Sequence, residues 1–106
     1  MSRIAILAAS AFAVIALSSA ANAASFNCGG NLTYTEKTIC DNPGLSRADD
    51  RMAYMYFNVV NNGNYRRGQA AQVRWLHERD SCGADVSCIW QEYHYRMQQL
   101  SSGSAY

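Results

Sequence analysis

Apolar residues are distributed along this chain in two distinct ways. Ile4 to Leu17 is an unbroken run of apolar and small residues with no periodicity. Leu45, Met52, Met55, Tyr56, Val59 and Val60 then fall at the offsets of one buried helix face. Ile89, Tyr93, Met97 and Leu100 repeat that arrangement near the C-terminus. Between them, Tyr65 to Asp80 reads as a further helix carrying Val73, Trp75 and Leu76.

Local signals set the expected boundaries. Residues 24–34 are rich in Gly and Asn and read as extended. Thr35 is placed to cap a short helix through Glu36, Lys37, Thr38, Ile39 and Cys40, with Glu36 suiting the helix dipole. Asp41-Asn42-Pro43-Gly44 reads as a stop and turn. The next helix is expected to begin at Ser46, with Asp49 completing a capping box and Leu45 as its staple. Asn61-Asn62-Gly63-Asn64 ends it through left-handed residues. Gly68 weakens the first turn of the third helix. Cys82 to Ser87 forms a turn, a last helix covers Cys88 to Leu100, and Ser101 to Ala105 is expected to fray. No segment alternates as a strand. The expected fold is all-α: a small disulfide-stapled bundle of three principal helices and one short N-terminal helix.

The first apolar run belongs outside that bundle. It follows a short basic start containing Arg3 and precedes Ala21-Asn22-Ala23, the small-residue pattern of a signal-peptidase site. It is also short for a membrane span. Residues 1–23 are therefore expected to be a signal peptide and residues 24–106 the folded domain, periplasmic or secreted. No Cys adjoins the cut, so neither a lipid anchor nor membrane insertion of the mature chain is expected.

Export changes how the cysteines and charges are read. Cys28, Cys40, Cys82 and Cys88 form an even set in a small exported chain, where disulfides persist. Four cysteines allow three pairings. Proximity and intervening turn residues favour Cys28–Cys40 and Cys82–Cys88, the longer loop contributing about 3 kcal/mol. A zinc site fits poorly, because structural zinc prefers pairs separated by two to four residues. Loss of Arg3 reduces nine basic residues to eight, equal to the eight acidic ones. Such a neutral chain lacks the basic surplus that nucleic-acid binding requires.

Candidate chemistry is sparse. His77 lies in a charged run and His94 lies between two tyrosines one position off the apolar stripe; both read as surface residues. Asp49 and Asp50 adjoin on a helix and point about 100° apart. With Asp41 they lack the D-x-D-x-D-G spacing of a calcium loop. Trp75 with Arg74 and Arg79 resembles a stacking patch, but a tryptophan at the centre of an amphipathic helix is more often core. Asn31-Leu32-Thr33 is a glycosylation sequon of common chance occurrence. The expectation is no catalytic residue, no metal site and no cofactor, so not an enzyme. Seven tyrosines exceed what a small bundle can bury, which favours a protein-contact surface.

One ordered set of residues carries a family likeness. It comprises Phe26 and Cys28; Glu36, Ile39 and Cys40; Leu45 and Asp49; Gln72, Trp75, Leu76, Arg79, Asp80 and Cys82; and then Cys88, Tyr93 and Arg96. This order resembles the LprI-type lysozyme inhibitor N-terminal domain. The resemblance implies a small exported helical domain and a lysozyme-binding role, with lysozyme or another envelope protein as partner. It supplies no inhibitory residue to carry over. Glu36, Asp49, Gln72, Trp75, Arg79, Asp80, Tyr93 and Arg96 are read instead as structural. Asp49 and Arg79 are expected to form a hydrogen-bonded pair between helices, while Gln72, Trp75, Tyr93 and Arg96 serve packing and hydrogen-bond satisfaction.

Overall fold

The computed structural model describes residues 24–106; the expected signal peptide, residues 1–23, lies outside the described residues. Four helices follow in order: α1 (Tyr34–Asp41), α2 (Pro43–Asn61), α3 (Tyr65–Asp80) and α4 (Val86–Ser101). The described residues contain no strand, so the domain is all-α. The most extensive packing is of α2 against α4; α1 leans on α2, and α3 on α4. The cysteines pair as Cys28–Cys40 and Cys82–Cys88, the arrangement that spacing favoured. A chain holding both pairs oxidised suits an extracytoplasmic compartment.

Helix starts differ from expectation in instructive ways. Thr33, not Thr35, caps α1: its hydroxyl accepts from the Glu36 N–H at 3.1 Å, and Glu36 Oε1 accepts from the Thr33 N–H at 2.9 Å. A capping box places the Glu three positions after the cap, and only Thr33 stands at that distance from Glu36. Thr35 is freed for burial, and its hydroxyl donates to the Asp80 and Gly83 carbonyls at 3.1 and 2.6 Å. Likewise, the expected turn at 41–44 shrinks to Asn42 alone. Asn42 caps α2 by accepting from the Leu45 N–H at 3.1 Å, and Pro43 occupies the first turn, where its missing N–H costs nothing. Ser46 therefore lies inside α2 and its hydroxyl donates to the Ile39 carbonyl at 2.6 Å. The α2–α3 turn forms without left-handed residues; among the described residues only Gly83 and Gly103 have positive φ. Asp85 caps α4, which starts two residues earlier than expected.

The α2 stripe is buried as read, through Leu45, Met52, Tyr56 and Val60, with Met55 and Val59 packed at its edge. Ile89, Tyr93 and Leu100 line α4. In α3 the apolar reading fails in part, since Val73 is 49% exposed. Its buried line is Gly68, Ala71, Trp75 and Arg79. At Gly68, α3 lies close against α2: a Cβ there would meet Val60 Cγ1 at 2.5 Å and Ala105 Cβ at 3.3 Å. Nor is the tail loose. Ala105 is fully buried, its carbonyl accepts from Arg96 Nη2 at 2.9 Å, and the Tyr106 hydroxyl accepts from the Asn64 N–H at 2.8 Å.

The close approach at Gly68 has a measurable consequence. Helix propensity alone says that Gly68→Ala stabilises by about 1 kcal/mol. Overpacking against Val60 should reverse the sign and cost about 1–3 kcal/mol. Urea denaturation of the variant checks this, and a raised midpoint would show that the contact yields without penalty.

Candidate functional site

Arg79 ends the buried line of α3, and its side chain is 2% exposed. A guanidinium does not lose its charge in a protein, so burial requires partners on several sides. Four segments supply them. From α3 itself, Asp80 Oδ1 accepts from Arg79 Nε and Nη2 at 3.0 and 2.8 Å. From α4, the Tyr93 hydroxyl accepts from Nη1 at 3.2 Å and donates to Asp49 Oδ1 of α2 at 2.7 Å. Asp49 Oδ1 lies 3.7 Å from Nη1, and Glu36 Oε2 of α1 lies 3.8 Å from Nη2. The expected Asp49–Arg79 pair thus exists as an ion pair, with Tyr93 inserted as the hydrogen-bonded bridge.

The second Asp49 oxygen is satisfied from the N-terminal segment. Asp49 Oδ2 accepts from the Ser25 N–H at 2.8 Å and also from the Ser25 hydroxyl. The Phe26 and Trp75 rings cover the guanidinium at 5.7 and 5.8 Å. Trp75 is core rather than a surface stacking patch: it meets Tyr93 edge to face at 5.2 Å, and its indole N–H donates to the Glu92 carbonyl at 3.2 Å.

These surroundings set the protonation states. Burial alone would lower the Arg79 pKa, but the facing Tyr93 and the hydrogen-bonded Asp80 outweigh it and the pKa rises. Burial, followed by the Asp49 carboxylate, pushes the Tyr93 phenol far above its ordinary 10.0.

A second arginine organises the other end of α4. Arg96 Nε donates to Gln72 Oε1 at 2.9 Å, Nη1 to Gln99 Oε1 at 3.1 Å and Nη2 to the Ala105 carbonyl. Burial, aided by the like charge of Arg74, lowers its pKa against the opposing pull of Tyr56 and Glu78. Gln72 also donates to Met52 Sδ at 3.2 Å, linking α3 to α2.

All eight motif residues singled out in the sequence therefore fall in these two networks or pack against them. Ser25, Thr35 and Gln99 were missed. Ser25 and Thr35 each adjoin a motif residue, Phe26 and Glu36, whereas Gln99 stands apart from the motif. His77, His94, Asp41, Asp50 and Asn31 are exposed. No buried side-chain nitrogen or oxygen among the described residues lacks a partner.

Above the first network lies a cleft of about 320 Å³, near the lower end of ligand-site sizes. Met52, Tyr56, Phe57 and Leu76 form its apolar walls, and Glu36, Asp49, Arg79 and Asp80 line its polar end. Among the described residues no helix is long and apolar enough to cross a membrane.

Comparison with known proteins gives one group of relatives. The chain is similar to Lipoprotein LprI of Mycobacterium bovis and of two Mycobacterium tuberculosis strains, at 26% identity over 80 residues. The aligned part is 73% of this chain, and the chain spans only 41% of the length of those curated relatives. No protein-family model matches it, and no solved structure does.

The Arg79 centre leads to two expectations. Arg79→Ala leaves Asp49 buried beside Tyr93 without its cation and should cost about 3–5 kcal/mol in chemical denaturation. An unchanged midpoint would mean the pair adds nothing. Tyr93 keeps its proton in the fold, whereas the unfolded chain releases it above pH 10.0. Its contribution is thus complete below that pH and is lost as pH rises, by at most about 1.4 kcal/mol per pH unit. Between pH 9 and 11 the wild type should lose more stability than Tyr93→Phe; equal losses would contradict the protonation state.

Proposed function

We propose that this chain is exported, loses residues 1–23, and acts in the periplasm or outside the cell as a binding protein that inhibits lysozyme by direct contact. The observation that supports this most is the similarity to Lipoprotein LprI over 80 residues, read together with the lysozyme-inhibitor family resemblance of the motif residues. In this chain those residues build the interior that holds the domain together. Two disulfides and two saturated arginine networks give a rigid surface, and rigidity lowers the ordering cost of binding. The role is binding rather than catalysis.

A second reading has its own support. Tyr34, Tyr54, Phe57, Tyr65, Trp90 and Tyr95 are exposed, more aromatic surface than plugging one cleft requires. It suits an envelope module that binds another periplasmic protein or a cell-wall fragment.

Turbidity of bacterial cell walls digested by a c-type lysozyme separates the two. Dose-dependent protection by the oxidised protein, abolished on reduction of its disulfides, is the expected result. Undiminished lysis at a large molar excess of folded protein would reject c-type lysozyme as the target and favour the second reading.

A further inference from the structure

We infer that the cleft between α2 and α3 receives a basic side chain, lysine or arginine, presented by a protein partner. This deepens the binding role proposed above and rests on it. The polar end of the cleft carries three carboxylates, Glu36, Asp49 and Asp80, against the single cation Arg79. If cleavage follows Ala23, the new α-ammonium of Ala24 adds a second cation. Backbone geometry keeps consecutive nitrogens within about 3.7 Å, and the Ser25 nitrogen lies 2.8 Å from Asp49 Oδ2. Even with both cations the site keeps a negative surplus.

That surplus sits at its accessible side. Asp49 is buried and spent on Ser25 and Tyr93. Glu36 and Asp80 keep 23% and 28% of their side chains exposed. Both lie against the same Arg79 Nη2, Glu36 through Oε2 at 3.8 Å and Asp80 through Oδ1 at 2.8 Å, which places the two carboxylates side by side. Arg79 engages Asp80 through Oδ1 and the capping box engages Glu36 through Oε1. Among the described residues, neither Asp80 Oδ2 nor Glu36 Oε2 accepts a hydrogen bond. Asp80 Oδ2, and Glu36 Oε2 beyond its ion pair with Arg79, thus keep acceptor capacity in residues that line the cleft.

The walls select what carries the cation. Met52, Tyr56 and Leu76 offer an apolar lining for a methylene stem, the part of lysine or arginine that packs while its head stays polar. At the mouth, Phe57 is 55% exposed and presents an aromatic ring to a passing cation. A neutral saccharide would satisfy hydrogen bonds but leave the excess charge uncompensated, and an anion would be repelled. Basic enzymes such as c-type lysozymes present such side chains over much of their surface, which gives a net-neutral domain a local point of electrostatic attachment.

The test uses the exported, oxidised protein and its Glu36→Gln and Phe57→Ala variants. Gln preserves the capping box but removes a carboxylate from Arg79 Nη2, so Glu36→Gln should melt somewhat below the wild type while staying folded at the titration temperature; Phe57 lies on the surface, and Phe57→Ala should melt close to the wild type. Nuclear magnetic resonance titration with Nα-acetyl-arginine amide should shift amides of Met52 to Phe57 and of Leu76 to Asp80. The neutral isostere Nα-acetyl-citrulline amide should not, and each variant should weaken the response several-fold. Lysozyme inhibition by the variants should fall about ten-fold. Equal shifts with citrulline, arginine shifts located elsewhere, or wild-type inhibition by both variants would overturn the inference. Arginine binding in the cleft without any lysozyme inhibition would reject lysozyme as the partner and uphold the cleft's preference.

Discussion

A charge that cannot be neutralised sits at the centre of this domain. Arg79 stays protonated wherever it is placed, and taking its guanidinium out of water is costly unless every side meets an acceptor or an aromatic face. Here the N-terminal segment, α1, α2 and α4 each bring a group to it or to its partner Asp49. The arrangement of the bundle is in large part the arrangement that lets them converge. Tyr93 matters most among them, because its one hydroxyl accepts from the cation and donates to the anion. A phenol held neutral by burial is the only tyrosine state that can do both.

The rest of the structure is organised by the same need at smaller scale. Arg96 has no carboxylate against it, so it recruits amide and backbone oxygens, and the Ala105 carbonyl is one of them. That requirement orders a tail whose composition alone suggests fraying. Cys28–Cys40 ties the N-terminal segment to α1, and Cys82–Cys88 closes the turn before α4. Thr35 then docks on the carbonyl oxygens of Asp80 and Gly83, joining α1 to that turn.

For function, the important consequence is that the interior network reaches the surface at the cleft. Glu36 and Asp80 serve Arg79 from the cleft side and remain partly open to solvent. Motif residues can therefore be structural and still define the character of a binding surface, because excess buried charge projects outward between apolar walls. Rigid walls of this kind suit capture of a partner's side chain with little reorganisation.

The helical class and the faces of α2 and α4 were legible in the sequence, and its spacing favoured the cysteine pairing and suggested the partnership of Asp49 with Arg79. Those features are written in local periodicity, in short loop closures and in the pairing of opposite charges. The core face of α3 was not legible, because it consists of Gly68, Ala71, Trp75 and Arg79, a line whose logic is close approach and charge satisfaction rather than hydropathy. Thr33 was passed over for Thr35 because both residues can cap, and only the loop after α3 shows that Thr35 is needed inside. Tertiary structure alone decided the insertion of Tyr93, the recruitment of Ser25 and the burial of Ala105. In each case the partner is 9 to 44 residues away, and no local signal encodes which distant acceptor a buried charge will find.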